Sequence, residues 1–192
     1  MDKKITLPEN IVLIDVEYLN FMLTNMKGFL EQQIGRSLDN ISVPDLLTCL
    51  ALDAKVEEGE KEIQVLLLHD KKVANIAYAS PSNLQKELNG VAFKSSLGEF
   101  VFSAVSTEDL TTVDQLFKDL FEIALDDEKV KKILFVAPED YDGEILSVVK
   151  EKQTDKEICQ FRVSQPTMEL PYQIDMLVFP IMKAFGVQGD EI

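Results

Sequence analysis

The chain has 192 residues, 46% of them hydrophobic, and its 34 acidic against 19 basic side chains leave a formal charge of −15. That length and content suit one globular domain with a sizeable core, and no apolar run approaches the roughly 20 residues of a membrane span. So acidic a surface repels polyphosphate as a whole, and RNA binding would need a local basic patch built from Lys71, Lys72, Lys131 and Lys132.

The polar start MDKKITLPEN lacks the apolar stretch of a secretory leader, which predicts a cytoplasmic protein. Beyond it, short apolar runs alternate with helical spacing, the pattern of an α/β domain. NIVLID reads as a buried strand ending at Asp15, and Leu19, Met22, Leu23, Met26, Leu30 and Ile34 then mark one face of an amphipathic helix. After a loop through Gly35 to Asn40, SVPDLLTCLALDA predicts a second helix, with Ser42 as cap and Pro44 in the first turn. The continuous run EIQVLLLH predicts a central strand covered on both faces of a parallel sheet. SPSNLQKELNG reads as a short helix opening near Pro81 and stopping at Asn89 and Gly90.

EFVFSAV is another strand, and Val113, Leu116, Phe117, Leu120 and Ala124 give the helix after it. KILFVA is a strand, GEILSVVKE a helix and ICQFRV a strand, while QIDMLVFPIMKAF predicts a final helix kinked at Pro180. With no repeat or low-complexity linker, the expectation is one domain with a core over residues 11–185 and a fraying tail over 186–192. The fold class is three-layer α/β/α with a mostly parallel central sheet. Cys49 and Cys159 read as buried free thiols, His69 as a strand-end residue, and Tyr18, Tyr78, Tyr141 and Tyr172 as structural rather than base-stacking.

In an open parallel sheet, ligands bind outside the carboxyl ends of the strands. Asp15 ends the first strand, Asp140 and Asp142 follow KILFVA by a short loop, and Asp114 lies in the first turn of the helix after EFVFSAV, so all four fall on that edge. Four converging carboxylates would repel one another unless a cation sat among them, and hard oxygen donors in such numbers suit Mg²⁺ or Mn²⁺. Each acid also stands where a helix begins, where acids are favoured in any case. Asp15 and Asp142 can cap helices, and Thr111 with Asp114 has capping-box spacing. Asp140, which a cap at Asp142 does not require, and Asp114, with Phe117 and Phe121 at i+3 and i+7, speak for the cation.

The order of these pieces, LIDVEYLN, then TVDQLF, then VAPEDYDGEI, resembles PIN-like nucleases and within them the NYN subgroup. Carried onto this chain, the resemblance makes Asp15 the first metal acid, Glu17 the acid beside it and Asn20 the nearby Asn. Asp114 matches the helix-start Asp, Asp140 and Asp142 the two acids of the loop, and Asp175 the late Asp that begins the last helix. The Ser-Gly that precedes the first loop acid in that family is Pro138 and Glu139 here, and the Phe after the second is Gly143. The resemblance implies metal-dependent hydrolysis of phosphodiesters, most often RNA, with Asp15, Asp114 and Asp140 as ligands and Asp142 as a ligand or water-orienting group. Asp15→Asn or Asp140→Asn is then expected to abolish turnover while leaving the fold intact.

A second reading is a non-catalytic PIN-like module that binds a protein partner, which fits the charge, the missing Ser-Gly and the absence of an evident basic groove; its mark would be an exposed apolar patch near residues 182–187. LIDVE superficially suits an aspartyl nucleophile, but the acid pattern of aspartyl phosphotransfer domains is not met. No dinucleotide fingerprint, phosphate-binding loop or nucleophile elbow is present.

Overall fold

β1 (Asn10–Asp15) is buried along nearly its whole length, as a strand covered on both faces must be. It stands at the centre of a seven-stranded sheet in a computed structural model that describes residues 7–59 and 61–192. The first six residues of the polar start read above lie outside the described residues.

The chain leaves β1 directly into α1 (Val16–Ile34), where Asp15 Oδ1 accepts the Tyr18 N–H at 3.0 Å and Gly35 closes the far end at φ +69°. β2 (Ile41–Ser42) leads to α2 (Val43–Asp53), capped by Ser42 with Pro44 in its first turn as expected. β3 (Glu62–His69) pairs parallel with β1. The short β4 (Ala79–Ser80) pairs with β2 in a separate two-stranded sheet.

The helix expected over residues 80–90 is a single π-helical turn, Leu84–Leu88. Asn83 caps it, and the Glu87 carboxylate accepts the Ser82 and Asn83 N–H groups. β5 (Ala92–Ser95), which sequence periodicity did not reveal, forms an antiparallel edge hairpin with β6 (Gly98–Ser106). Gly98 turns this hairpin at φ +142°, and a Cβ there would overlap the Lys61 carbonyl oxygen. Gly98→Ala is therefore expected to cost about 2 kcal/mol in urea unfolding. A loss under about 0.5 kcal/mol would mean that the hairpin relaxes freely.

α3 (Val113–Asp126), β7 (Lys132–Val136), α4 (Asp142–Lys152) and β8 (Glu157–Arg162) follow in the predicted order. The predicted last helix divides into a strand, β9 (Gln173–Met176), and a shorter helix, α5 (Val178–Ala184). Pairing with β8 takes residues 173–176 into the sheet. Pro180 falls in the first turn of α5, where an N–H would have no intrahelical acceptor, so it starts a helix rather than kinking one. The tail folds back, with Glu191 paired to Arg36 and Val187 buried.

The sheet order is β5-β6-β3-β1-β7-β8-β9, parallel except for β5. Val12 and Ile14 face one apolar core beneath α1, α2 and α5, while Ile11 and Leu13 face a second beneath α3 and α4. This is a three-layer α/β/α sandwich with a mostly parallel sheet. Because the chain runs from β1 to β3 on one side and later to β7 on the other, the switch point of the sheet lies between β1 and β7.

Candidate functional site

The sheet edge at that switch point is formed by the end of β1, the first turn of α1 and the turn between β7 and α4. Asp15 is buried there with both carboxylate oxygens engaged, Oδ1 by the Tyr18 N–H and Oδ2 by the Tyr141 hydroxyl at 2.7 Å. Burial raises its carboxyl above the ordinary aspartate range; the two hydrogen bonds and the Glu17 amide pull it down, and the Asp114 charge pushes it up. Burial also raises the Tyr141 hydroxyl, reinforced by its bond to Asp15 and by the charges of Asp114 and Glu17. Glu17, exposed at the start of α1, is raised by partial burial and then by Asp15 and Asp70.

The sign of the Asp15 shift makes a prediction. The unfolded carboxyl ionises near about pH 4, the folded one only at higher pH. Its buried charge therefore costs stability that is fully felt above the folded pKa and vanishes below the unfolded one. Asp15→Asn keeps the capping oxygen and is expected to raise the Tm by about 2–4 °C at neutral pH, with the gain fading toward pH ~4. Thermal melts across that range test it; a lower Tm at neutral pH would show that the ionised form is fully compensated.

Asp142 behaves differently from both sequence expectations. A 3₁₀ turn, Glu139–Tyr141, precedes α4, so Asp142 is already inside the helix and its carboxylate turns inward. Oδ2 accepts Arg162 Nη1 at 2.6 Å and Oδ1 accepts Gln160 Nε2 at 3.0 Å, all three side chains being buried. It is neither cap nor free ligand. Arg162 and Gln160 were missed, although a signal existed: two polar residues two apart in ICQFRV share one face of a strand whose other positions are apolar.

The remaining residues disperse. Asp140 is exposed on the turn, and Asp114 is exposed in the first turn of α3. The expected capping box does not form, because the Thr111 hydroxyl donates instead to the Thr112 carbonyl. Asn20 clamps the loop after β3, its amide donating to Asn75 O and accepting from Ala77 N. Asp175 sits on β9 rather than at a helix start, accepting from the Cys159 thiol and Gln173, with Asp53 as its electrostatic neighbour.

Among the described residues, no group of three or more His, Cys, Asp or Glu is placed to hold a metal ion. As placed, the four acids do not fit an Mg²⁺ or Mn²⁺ centre: Asp142 is neutralised by Arg162, and both oxygens of Asp15 already accept hydrogen bonds.

The lysines from which RNA binding would need to build a basic patch are not brought together, because Lys71 and Lys72 follow β3 at the carboxyl edge while Lys131 and Lys132 stand at the start of β7, at the amino edge. Lys71 pairs with Asp109 and Lys131 with Glu9, whose carboxyl the Lys131 and Lys61 hydrogen bonds hold down to about 2. Lys132 donates to the Ala54 and Lys55 carbonyls and pairs with Glu157. Both cysteines are buried and free, as expected.

Sheet order and layers define a Rossmann-like α/β/α domain, an architecture also compatible with PIN-like folds. The chain belongs to the Family of unknown function (DUF6621), which it matches over residues 4–192. No curated protein and no solved structure matches it. Among the described residues, no helix is long and apolar enough to cross a membrane.

Proposed function

We propose that this chain is a non-catalytic Rossmann-like module, a PIN-like relative, that binds a protein partner through the layer formed by α1, α2 and α5. The observation that carries this reading is the outer surface of that layer. Phe21 and Phe29 on α1, Leu52 on α2 and Phe179 on α5 are all exposed, Phe179 at 65% and Phe21 at 62%. From residue 21 to residue 33, the exposed positions of α1 are Phe21, Thr24, Asn25, Gly28, Phe29, Gln32 and Gln33, without one charge.

A solvated helix face in a chain of charge −15 ordinarily carries charged side chains, so an uncharged face with two exposed rings is suited to burial against another protein. The patch lies outside the segment expected from sequence, residues 182–187, where Phe185 and Val187 are buried. A photo-reactive phenylalanine analogue at position 28, where an added side chain meets nothing within 4 Å, would report the partner directly. A discrete adduct in the protein's own cells, lost with Phe21→Ser and Phe29→Ser together while the melting curve is kept, is the expected result. No adduct, or one indifferent to both phenylalanines, overturns this reading.

The second reading, metal-dependent hydrolysis of RNA through Asp15, Asp114 and Asp140, is favoured by one observation: Asp114 is near enough to Asp15 for its charge to raise the Asp15 carboxyl. It requires Tyr141 to release Asp15. Calorimetric titration of Mn²⁺ into wild type and Asp140→Asn decides it, with binding lost in the variant supporting a nuclease.

A further inference from the structure

α2 ends in a turn that favours glycine, and the chain places a lysine there. The Val56 N–H reaches back to the Ala51 carbonyl and the Lys55 N–H to the Leu52 carbonyl, both at 2.9 Å, the paired bonding that closes a helix through one left-handed residue. That residue is Lys55, at φ +56°. Glycine takes this conformation without steric cost, whereas a residue with a Cβ gives up stability in it. Such strain collects where a side chain is needed by a ligand.

Lys55 lines a cleft of about 480 Å³ at the amino edge of the sheet, together with Lys61, Lys131 and Lys132. Four lysines gather there in a chain of formal charge −15, and their partners are unevenly shared. Lys132 Nζ donates to the Ala54 and Lys55 carbonyls at the end of α2 and pairs with Glu157, which commits it to holding the turn. Lys61 and Lys131 both pair with Glu9 at 2.8 Å, so one carboxylate serves two cations. Lys55 enters no ion pair among the described residues. With Glu57, the third acid of the lining, the described walls carry four cations against three carboxylates.

We propose that this cleft binds a phosphate-bearing small molecule. Lys55 supplies the cation that no carboxylate of the described chain claims, and Lys61 and Lys131 supply the charge that Glu9 leaves over. Ammonium groups are compact point charges with three donors each, which suits a multiply charged tetrahedral oxyanion better than a planar carboxylate. The volume falls within the range of small-molecule sites, and the charge of the whole chain repels a nucleic-acid strand, so the ligand is small. The cleft lies at the opposite edge of the sheet from Asp15 and is separate from the exposed phenylalanines of α1.

The test is calorimetric titration of pyrophosphate and, separately, acetate into wild type, Lys55→Gln, Lys55→Gly and Lys72→Gln, with a melting curve of each protein alone. Wild type is expected to bind one pyrophosphate per chain, and acetate about tenfold more weakly or less. Both Lys55 variants are expected to weaken pyrophosphate by about fivefold or more. Lys55→Gly, relieved of the left-handed strain, is expected to melt about 2 °C above wild type, so that binding falls while stability rises. Lys72 is exposed at the carboxyl edge, so Lys72→Gln makes the same change in net charge and is expected to match wild type. No pyrophosphate binding by wild type, acetate bound as tightly, equal weakening by Lys72→Gln, or unchanged affinity in the Lys55 variants would each overturn the proposal. A Lys55→Gly protein that melts below wild type would overturn it too, because the lysine would then be kept for stability.

Discussion

Arg162→Met is expected to lower the unfolding free energy by about 3–5 kcal/mol, because it leaves the buried Asp142 carboxylate without its cation. Removing both charges together, with Asp142→Leu in the same chain, is expected to recover most of that loss, since neither ion then has to be desolvated. Urea unfolding of the two single variants and the double variant closes the cycle. A single-variant loss under about 1 kcal/mol would mean that solvent screens the pair, as it does for surface ion pairs. The same experiment separates two roles for Asp142. A metal ligand at an open edge can be lost without unfolding the domain, whereas one half of a buried pair cannot.

Phe135→Ala is expected to cost a similar amount, about 3–5 kcal/mol. Phe135 lies on β7, buried, and its ring meets Phe117, Phe121 and Tyr172 with centroids 5.5 to 5.9 Å apart. Truncation removes those edge contacts and leaves a cavity beneath α3 that the rigid sheet cannot close. The effect should reach Asp15, because Phe117 also packs on the Tyr141 ring at 5.4 Å, and Tyr141 holds Asp15. Phe135→Leu, which keeps most of the volume, is expected to lose less than half as much in the same unfolding assay. Equal losses for Ala and Leu would point to ring-specific contacts rather than cavity volume as the dominant cost.

Most of the framework was legible because its signals are local. The apolar run before Asp15, the Ser42 and Pro44 pair, and the 3.6-residue spacing through Phe117 and Ala124 each act within a few positions of the chain. They gave the strands, the helices and the edge on which the acids fall. Where local signals conflicted, the reading failed. Residues 173–176 sit in an apolar stretch compatible with a helix, and only hydrogen bonding to β8 turns them into a strand. β5 is a short edge strand whose alternation is weak and whose place is fixed by the Gly98 turn.

The sequence by itself determined an acidic α/β domain with a parallel sheet, and it placed Asp15, Asp114, Asp140 and Asp142 near one end of that sheet. Tertiary structure alone decided which partners Asp15 and Asp142 meet. Asp142 meets Arg162 because α4 begins one residue before the expected helix start and because β8 lies in register beside β7, so the carboxylate turns inward to a residue 20 positions away. Asp15 meets Tyr141 across 126 positions, and Lys71 is separated from Lys131 because, in a parallel sheet, β3 ends at the carboxyl edge whereas β7 begins at the amino edge. Such partnerships depend on strand order, register and helix rotation, which are set by the packing of the two cores as a whole and leave no mark within the few residues that local periodicity can read.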